Sequence, residues 1–211
     1  MSARLLYVMD PMCSWCWGFA PVAQALIEQA QAAGVELHLV VGGLRTGNSA
    51  ALEPSTRRYI LEHWQAVADA TGQPFNFDGA LPDGFVYDCE PACRAIVAAR
   101  GQAPACAWAL LKRIQHAFYA EGRDVTQSSV LVELAEQAGL PRAEFAAAFD
   151  SVEQQAATAA DFTWVQDLGI AGFPTLLAER NGQLALLTNG YQPLEPLSEL
   201  LGRWLDRATS A

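Results

Sequence analysis

No stretch of this 211-residue chain stays apolar long enough to cross a bilayer, which takes roughly 18–20 consecutive residues. The first apolar run, Leu5–Met9, is stopped by Asp10, short of the roughly 7–15 residues of a secretory signal core. A cysteine motif follows at once, so cleavage there would remove it. The expected location is therefore the cytoplasm. Basic residues are scarce: 13 Lys and Arg stand against 23 Asp and Glu, a formal charge of −10. Such a surface repels phosphate backbones and anionic headgroups, which excludes nucleic acid and membranes as partners. Repeats, low-complexity tracts and long runs of one charge sign are missing. Cysteine is sparse and odd in number, at Cys13, Cys16, Cys89, Cys93 and Cys106. An odd set without a secretory signal argues against a structural disulfide framework and turns attention to chemistry. What the chain has in quantity is apolar residues, 52% against 17% charged. That supports a sizeable core, in one large domain or in one domain with a second inserted.

The pattern opens with a buried strand at Leu5–Asp10. Phe19, Val22, Leu26, Ile27 and Ala30 then recur at helical spacing, Gly34 ends the helix, and Val35–Val41 is a second strand closed by Gly42–Gly43. This is a βαβ unit, expected to be parallel and right-handed. Pro54–Thr71 is an amphipathic helix, followed by a Gly- and Pro-rich loop over Gly72–Gly84 and by helical stretches near 89–100, 103–121, 127–138, 141–149 and 151–168. Strand signals return at Thr175–Arg180 and Gln183–Thr188, joined by Asn181–Gly182, which favours a type I′ hairpin turn. A last helix carries Leu194, Leu197, Leu200, Leu201, Trp204 and Leu205 on its buried side. The expected fold class is α/β. Residues 1–45 and 160–211 make one sheet-bearing domain, and residues 46–159 form an inserted all-helical domain.

Cys13–Ser14–Trp15–Cys16 falls between the first strand and the first helix. At a helix start, residues i and i+3 share a face, so the two sulfurs can reach disulfide distance. The first cysteine meets the unpaired N–H groups of the first turn and the positive end of the helix dipole, which favour thiolate. The second lies one turn inside and is expected to be the less reactive. Thiol–disulfide exchange follows: Cys13 attacks a substrate disulfide, and Cys16 then attacks the Cys13 sulfur and releases the reduced substrate. Two other readings stay open. With Cys89 and Cys93 the pair could complete a four-thiolate zinc site, or it could be buried and inert. Gly172–Phe173–Pro174–Thr175 is the second signal. A proline here opens the first strand after the helical block. If that strand lies beside Leu5–Asp10, Pro174 faces the cysteines, and a cis bond would leave the Phe173 backbone free to pair with an extended substrate. An ordinary trans proline at a strand start is the alternative.

Together these motifs resemble the thioredoxin superfamily, and within it the DsbA-like branch with an all-helical insertion. The match rests on Cys13–Ser14–Trp15–Cys16 after the first strand, Pro21, the helical block and Gly172–Phe173–Pro174–Thr175. Asp10–Phe19, Gly42–Asn48, His63–Trp64–Gln65 and Cys89–Arg94 look like the cytoplasmic predicted protein-disulfide isomerases, a subgroup near FrnE-like proteins, kappa-class glutathione transferases and 2-hydroxychromene-2-carboxylate isomerases. The resemblance implies a thioredoxin-like fold, Cys13 as nucleophile, Cys16 as resolving thiol, and Pro174 as a cis-proline. Ser14, Trp15 and Phe173 would help shape the substrate site. No bound cofactor or metal is implied; glutathione is a candidate redox partner. One position departs from the pattern. Six residues before Cys13, where many relatives carry a buried acid, stands Tyr7. Proton transfer to Cys16 then falls to Asp10, whose other role is to cap the turn after the strand. Cys13 favours redox chemistry over that of the relatives built on serine. A glutathione-linked transferase or isomerase, or a redox-inactive binding module, remain the alternatives.

The secondary candidates are weaker. Cys89 and Cys93 are four apart, and Pro91 places Cys89 near a helix start, where a lowered pKa and a second redox relay are conceivable; small buried residues are the plainer reading. Cys106 is expected in the core. His63 is a candidate at the site or a surface histidine. Trp15, Trp17, Phe19 and Trp64 could form an aromatic rim around the sulfurs, suited to an apolar peptide or a small aromatic ligand; core packing explains Trp64 at least as well. Arg45 and Arg94 are the arginines placed to hold a carboxylate such as that of glutathione, or are solvated.

Overall fold

Along the first strand successive residues point to opposite sides, and both sides are apolar. Leu5, Tyr7 and Met9 face one way and Leu6 and Val8 the other, all buried. A strand apolar on both faces belongs in the middle of a covered sheet, and the computed structural model, which describes residues 3–206, places it there. β1 (Ala3–Met9) pairs in parallel with β2 (Glu36–Val41) and antiparallel with β3 (Thr175–Arg180), and β4 (Gln183–Asn189) closes the far edge, giving the order β2–β1–β3–β4. Asn181 and Gly182 both have positive φ, 52° and 79°, the conformation a tight β3–β4 turn of this kind requires.

Between β1 and β2 runs α1 (Ser14–Ala32); then come α2 (Pro54–Thr71), α3 (Glu90–Gln102), α4 (Pro104–Tyr119), α5 (Ser128–Gln137), α6 (Arg142–Phe149) and α7 (Val152–Asp167), and α8 (Leu194–Asp206) follows β4. The mixed sheet and eight helices form the expected α/β, thioredoxin-like architecture. Leu6, Val8, Val40 and Leu177 bury one sheet face against Val165 of α7. The opposite face joins α1, α3 and α4 in one large core. α2 is pressed against α1 at Gly18, where an added Cβ would lie 2.7 Å from Val67 and 2.9 Å from Thr71. Because β3 runs antiparallel beside β1 with Thr175 opposite Val8, the residues before β3 arrive at the same sheet end as the residues after β1. Among the described residues no helix is long and apolar enough to cross a membrane.

Candidate active site

The end of β1 turns into α1 through a short, hydrogen-bonded bend. The Cys13 N–H donates to the Asp10 carbonyl at 3.1 Å, and the Cys13 carbonyl accepts from Cys16 N–H at 3.0 Å and Trp17 N–H at 3.1 Å. Cys13 is thus the N-cap of α1, with an extended backbone, and Cys16 lies inside the first turn. All five cysteines are free thiols. The two sulfurs differ in access: Cys13 is 6% exposed and Cys16 0%. Burial pushes the Cys16 thiol well above its ordinary pKa, and contact with Cys13 adds to this, while a backbone hydrogen bond from Asp10 works the other way. Cys16 therefore rests as a thiol.

Across from Cys13 comes the loop before β3. The Phe173–Pro174 bond is cis. The Cys13 thiol donates to the Phe173 carbonyl at 3.7 Å. The loop is held by the Thr175 hydroxyl, which donates to the Gly172 carbonyl at 2.8 Å and lies 3.1 Å from the Asn189 side-chain oxygen, and by Gly190 N–H on the Pro174 carbonyl at 2.7 Å. The Phe173 ring lies over Gly42, where any Cβ would be 2.0 Å from it. Cys13 opens into a pocket of about 250 Å³ whose walls include Ser14, Trp15, Trp64, Tyr87 and Phe173, with Arg45 and His63 as its basic groups. Ser14, Trp15, Phe173 and His63 are thus brought to Cys13, although their spacing in the chain spans 160 residues. Trp15 also meets Tyr191, ring centroids 5.7 Å apart.

The expected aromatic rim is only half formed. Trp15 and Trp64 line the pocket. Trp17 instead ties α1 to the segment after α2, its indole N–H donating to the Pro74 carbonyl at 3.0 Å. Phe19 is fully buried between Tyr7 and Tyr191. Their positions on the helix turn them inward. Of the two arginines, Arg45 sits at the pocket with its guanidinium 5.6 Å from the Tyr87 ring. Arg94 is taken up elsewhere, by Glu90, the Phe149 carbonyl and the Phe149 ring. His63 is exposed, its Nδ1 3.0 Å from the Tyr59 carbonyl. Leu44, Tyr59, Ile60 and Tyr87 are pocket residues that the sequence did not reveal. Tyr59 and His63 stand one helical turn apart, the signal available for them. Tyr87 comes from an irregular segment; its hydroxyl donates to the Met12 carbonyl.

Behind the cysteine pair lies a second buried group. The Asp10 carboxylate accepts from Met12 N–H at 2.8 Å, as the expected turn cap, and from Leu44 N–H at 2.7 Å and the Cys93 thiol at 3.5 Å. Burial raises its pKa, against the hydrogen bonds it receives from Cys89, Leu44, Met12 and Cys93. Asp10, Cys89 and Cys93 bring one donor atom each within 4.8 Å of one another. The four-thiolate grouping with Cys13 and Cys16 is not formed. Cys89 is the N-cap of α3 as expected, yet its pKa is not lowered. A hydrogen bond with Cys93 lowers it, but burial, the Asp10 charge and the hydrogen bond with Asp10 together push it up to about 11. Burial likewise raises Cys93. Both are buried, 0% exposed. Cys106, expected in the core, is only half-buried, in the first turn of α4.

A cysteine pair at the head of the first helix, facing the loop before β3 at one end of a mixed sheet, is the arrangement of a thioredoxin-like protein of the DsbA type. Residues 4–202 match the DSBA-like thioredoxin domain, and the chain belongs to that family. A protein from Nitrosomonas europaea described as a candidate protein disulfide isomerase is 41% identical, with a TM-score of 0.91 over 98% of this chain and 99% of that one. The cytosolic disulfide reductase DsbM of Pseudomonas aeruginosa is 34% identical, with a TM-score of 0.81 over 99% and 100%. The structure of that reductase with GSH is also similar, at a TM-score of 0.77. The ClpXP adapter protein SpxH of Halalkalibacterium halodurans is 26% identical over 80% of this chain and 56% of that protein. The chain spans less than two-thirds of the length of the curated relatives it matches.

Proposed function

We propose that this protein is a dithiol–disulfide exchange enzyme, acting in the cytoplasm as a disulfide reductase or isomerase, with glutathione or a similar small thiol as its redox partner. The observation that carries this reading is the asymmetry of the pair. Cys13 caps α1, opens into the pocket and touches the Phe173 carbonyl, whereas Cys16 is sealed directly behind it. Such an arrangement lets one sulfur meet a substrate and keeps the other for the resolving step.

The Cys13 thiolate attacks one sulfur of a substrate disulfide, forming a mixed disulfide and releasing the first substrate thiolate. Cys16 gives up its proton and attacks the Cys13 sulfur. The Cys13–Cys16 bond forms, the second substrate thiolate leaves, and two electrons have passed to the substrate. Two small thiols restore the dithiol: the first attacks Cys13 and displaces Cys16, and the second attacks the first and leaves as a disulfide. No resident cofactor or metal enters these steps. The Phe173 carbonyl faces Cys13, and an extended substrate can pair with the backbone there. The pocket is small and largely apolar, and Arg45 is its permanent cation, placed for a carboxylate of a glutathione-like thiol. The reductase relative whose structure holds GSH supports this partner.

The test is a pair of variants assayed on glutathione disulfide and on a disulfide-bonded protein. Cys13→Ser is expected to abolish turnover. Cys16→Ser is expected to trap a mixed disulfide at Cys13 and to lose protein reduction by at least about a hundredfold, the resolving step being gone. Full activity of Cys16→Ser would instead indicate a glutathione-linked transferase or isomerase, and a Cys13 inert to thiol reagents would indicate a binding module.

A further inference from the structure

Asp10 is a carboxylic acid sealed from water, 0% exposed. Among the described residues no Lys, Arg or His side chain forms an ion pair with it. A buried charge is ordinarily paired with an opposite charge or bound to a metal ion. What faces Asp10 instead is two thiols that the exchange steps do not use. Cys93 Sγ lies 3.5 Å from Asp10 Oδ2. Cys89 stands one turn earlier, as the N-cap of α3, and the two sulfurs and a carboxylate oxygen all lie within 4.8 Å of one another. The donors are also held from behind by backbone N–H groups. Met12 N–H donates to Asp10 Oδ1 at 2.8 Å, Leu44 N–H to Asp10 Oδ2 at 2.7 Å, and Arg45 N–H to Cys89 Sγ at 3.2 Å. Such outer hydrogen bonds orient metal ligands and favour their anionic forms.

We propose that Asp10, Cys89 and Cys93 form a binding site for a thiophilic divalent cation of the zinc class, separate from the Cys13–Cys16 pair. The donor set selects the class: thiolate sulfur suits zinc, whereas magnesium and calcium take oxygen ligands. Zinc holds thiolate sulfur at about 2.3 Å and carboxylate oxygen at about 2.0–2.2 Å in a tetrahedron, which sets a sulfur and an oxygen about 3.5 Å apart. Cys93 and Asp10 already stand at that separation. On binding, two Zn–S bonds replace two S–H bonds and both protons pass to solvent. Nothing is oxidised or reduced, and a dication in place of two protons leaves the net charge of the buried cluster as it was. Three protein donors leave one tetrahedral position for a water or another small ligand. The ion joins the turn after β1, which carries Asp10, to the head of α3, and so clamps the helical block to the sheet behind Cys13. This site does not depend on the exchange reading, because Cys13 and Cys16 keep their sulfurs.

The test uses the full chain carrying Cys13→Ser and Cys16→Ser, so that the exposed pair cannot bind the ion. The protein is reduced, stripped of metal with a chelator and titrated with zinc ion alone against a chromophoric chelator. One zinc per chain is expected, with two protons released and a raised melting temperature. Adding Cys93→Ser or Asp10→Asn is expected to weaken binding by at least about a hundredfold, the upper end of what losing an outer-shell partner costs. Zinc that binds only while Cys13 and Cys16 are intact, or that binds equally well after Cys93→Ser, overturns the proposal. Should the Cys93 variant fail to fold, X-ray absorption at the zinc edge of the Cys13→Ser, Cys16→Ser protein decides. Two sulfur ligands at about 2.3 Å, with oxygen or nitrogen filling the remaining places, are expected; any other sulfur count contradicts the site.

Discussion

Asp10 is buried at the join of the turn that carries Cys13, the segment after β2 and α3, where Met12, Leu44 and Cys93 all donate to it. Burial raises its pKa in the folded protein despite these bonds. An acid whose folded pKa is raised contributes its full stability below the unfolded value of about 3.9 and loses it as pH rises through the folded pKa. Wild type is therefore expected to lose stability relative to Asp10→Asn as pH climbs from about 4, a slope readable by urea denaturation at a series of pH values. A flat difference would mean that Asp10 titrates as it does unfolded. Gly42 is a second sensitive residue. A Cβ there meets the Phe173 ring at 2.0 Å, so Gly42→Ala must displace the ring whose carbonyl faces Cys13. The expected result is a severalfold rise in KM for a disulfide substrate with little change in the reduction potential of the cysteine pair, measured by steady-state kinetics and by redox titration.

Helix α2 supplies Tyr59, Ile60, His63 and Trp64 to the pocket, and its distance from α1 is set at Gly18. Gly18→Val must push Val67 and Thr71 away from contacts of 2.7 and 2.9 Å. The expected loss is about 1–3 kcal/mol in chemical denaturation, together with weaker substrate binding as the pocket wall shifts; unchanged stability would show that α2 yields freely. Most elements were legible from the chain. The apolar run at Leu5–Met9, the helical spacing after Phe19 and the Asn181–Gly182 turn are local signals, and each formed the expected element. The cysteine pair was legible for the same reason, lying within one turn. What escaped was set by packing between distant segments. The raised pKa of Cys89 comes from burial and from an aspartate 79 positions earlier in the chain, neither of which a helix-start argument includes. The inward turn of Trp17 and the pocket role of Tyr87 depend on where α2 and the loop after it settle.

At the scale of the molecule, the sequence-based division into residues 1–45 with 160–211 and an inserted block 46–159 is a proposal about folding units. One buried core runs from Leu5 and Leu26 through Trp64, Ile96 and Leu110 to Leu201, and Arg100 of α3 reaches Asp161 of α7 at 2.7 Å while Asp161 accepts the Val41 N–H of β2 at 3.0 Å. Such continuity predicts that the two parts unfold together. A single transition, coincident by circular dichroism and tryptophan fluorescence, is expected; two separated transitions would make the block an independent unit. The acidic surface, with a formal charge of −10, adds a second whole-molecule feature. Against it Arg45 gives the pocket a local positive charge, suited to a small anionic thiol.

The central claim is that Cys13 and Cys16 form a reversible two-electron couple. It is tested most directly by equilibrating the protein in glutathione redox buffers and counting free thiols, with Cys16→Ser as control. The account predicts a single two-electron transition that vanishes in the control; a potential near about −270 mV would mark a reductase and one above about −200 mV an isomerase or oxidant. A pair that stays reduced across the whole buffer range, or that titrates identically in Cys16→Ser, would contradict it.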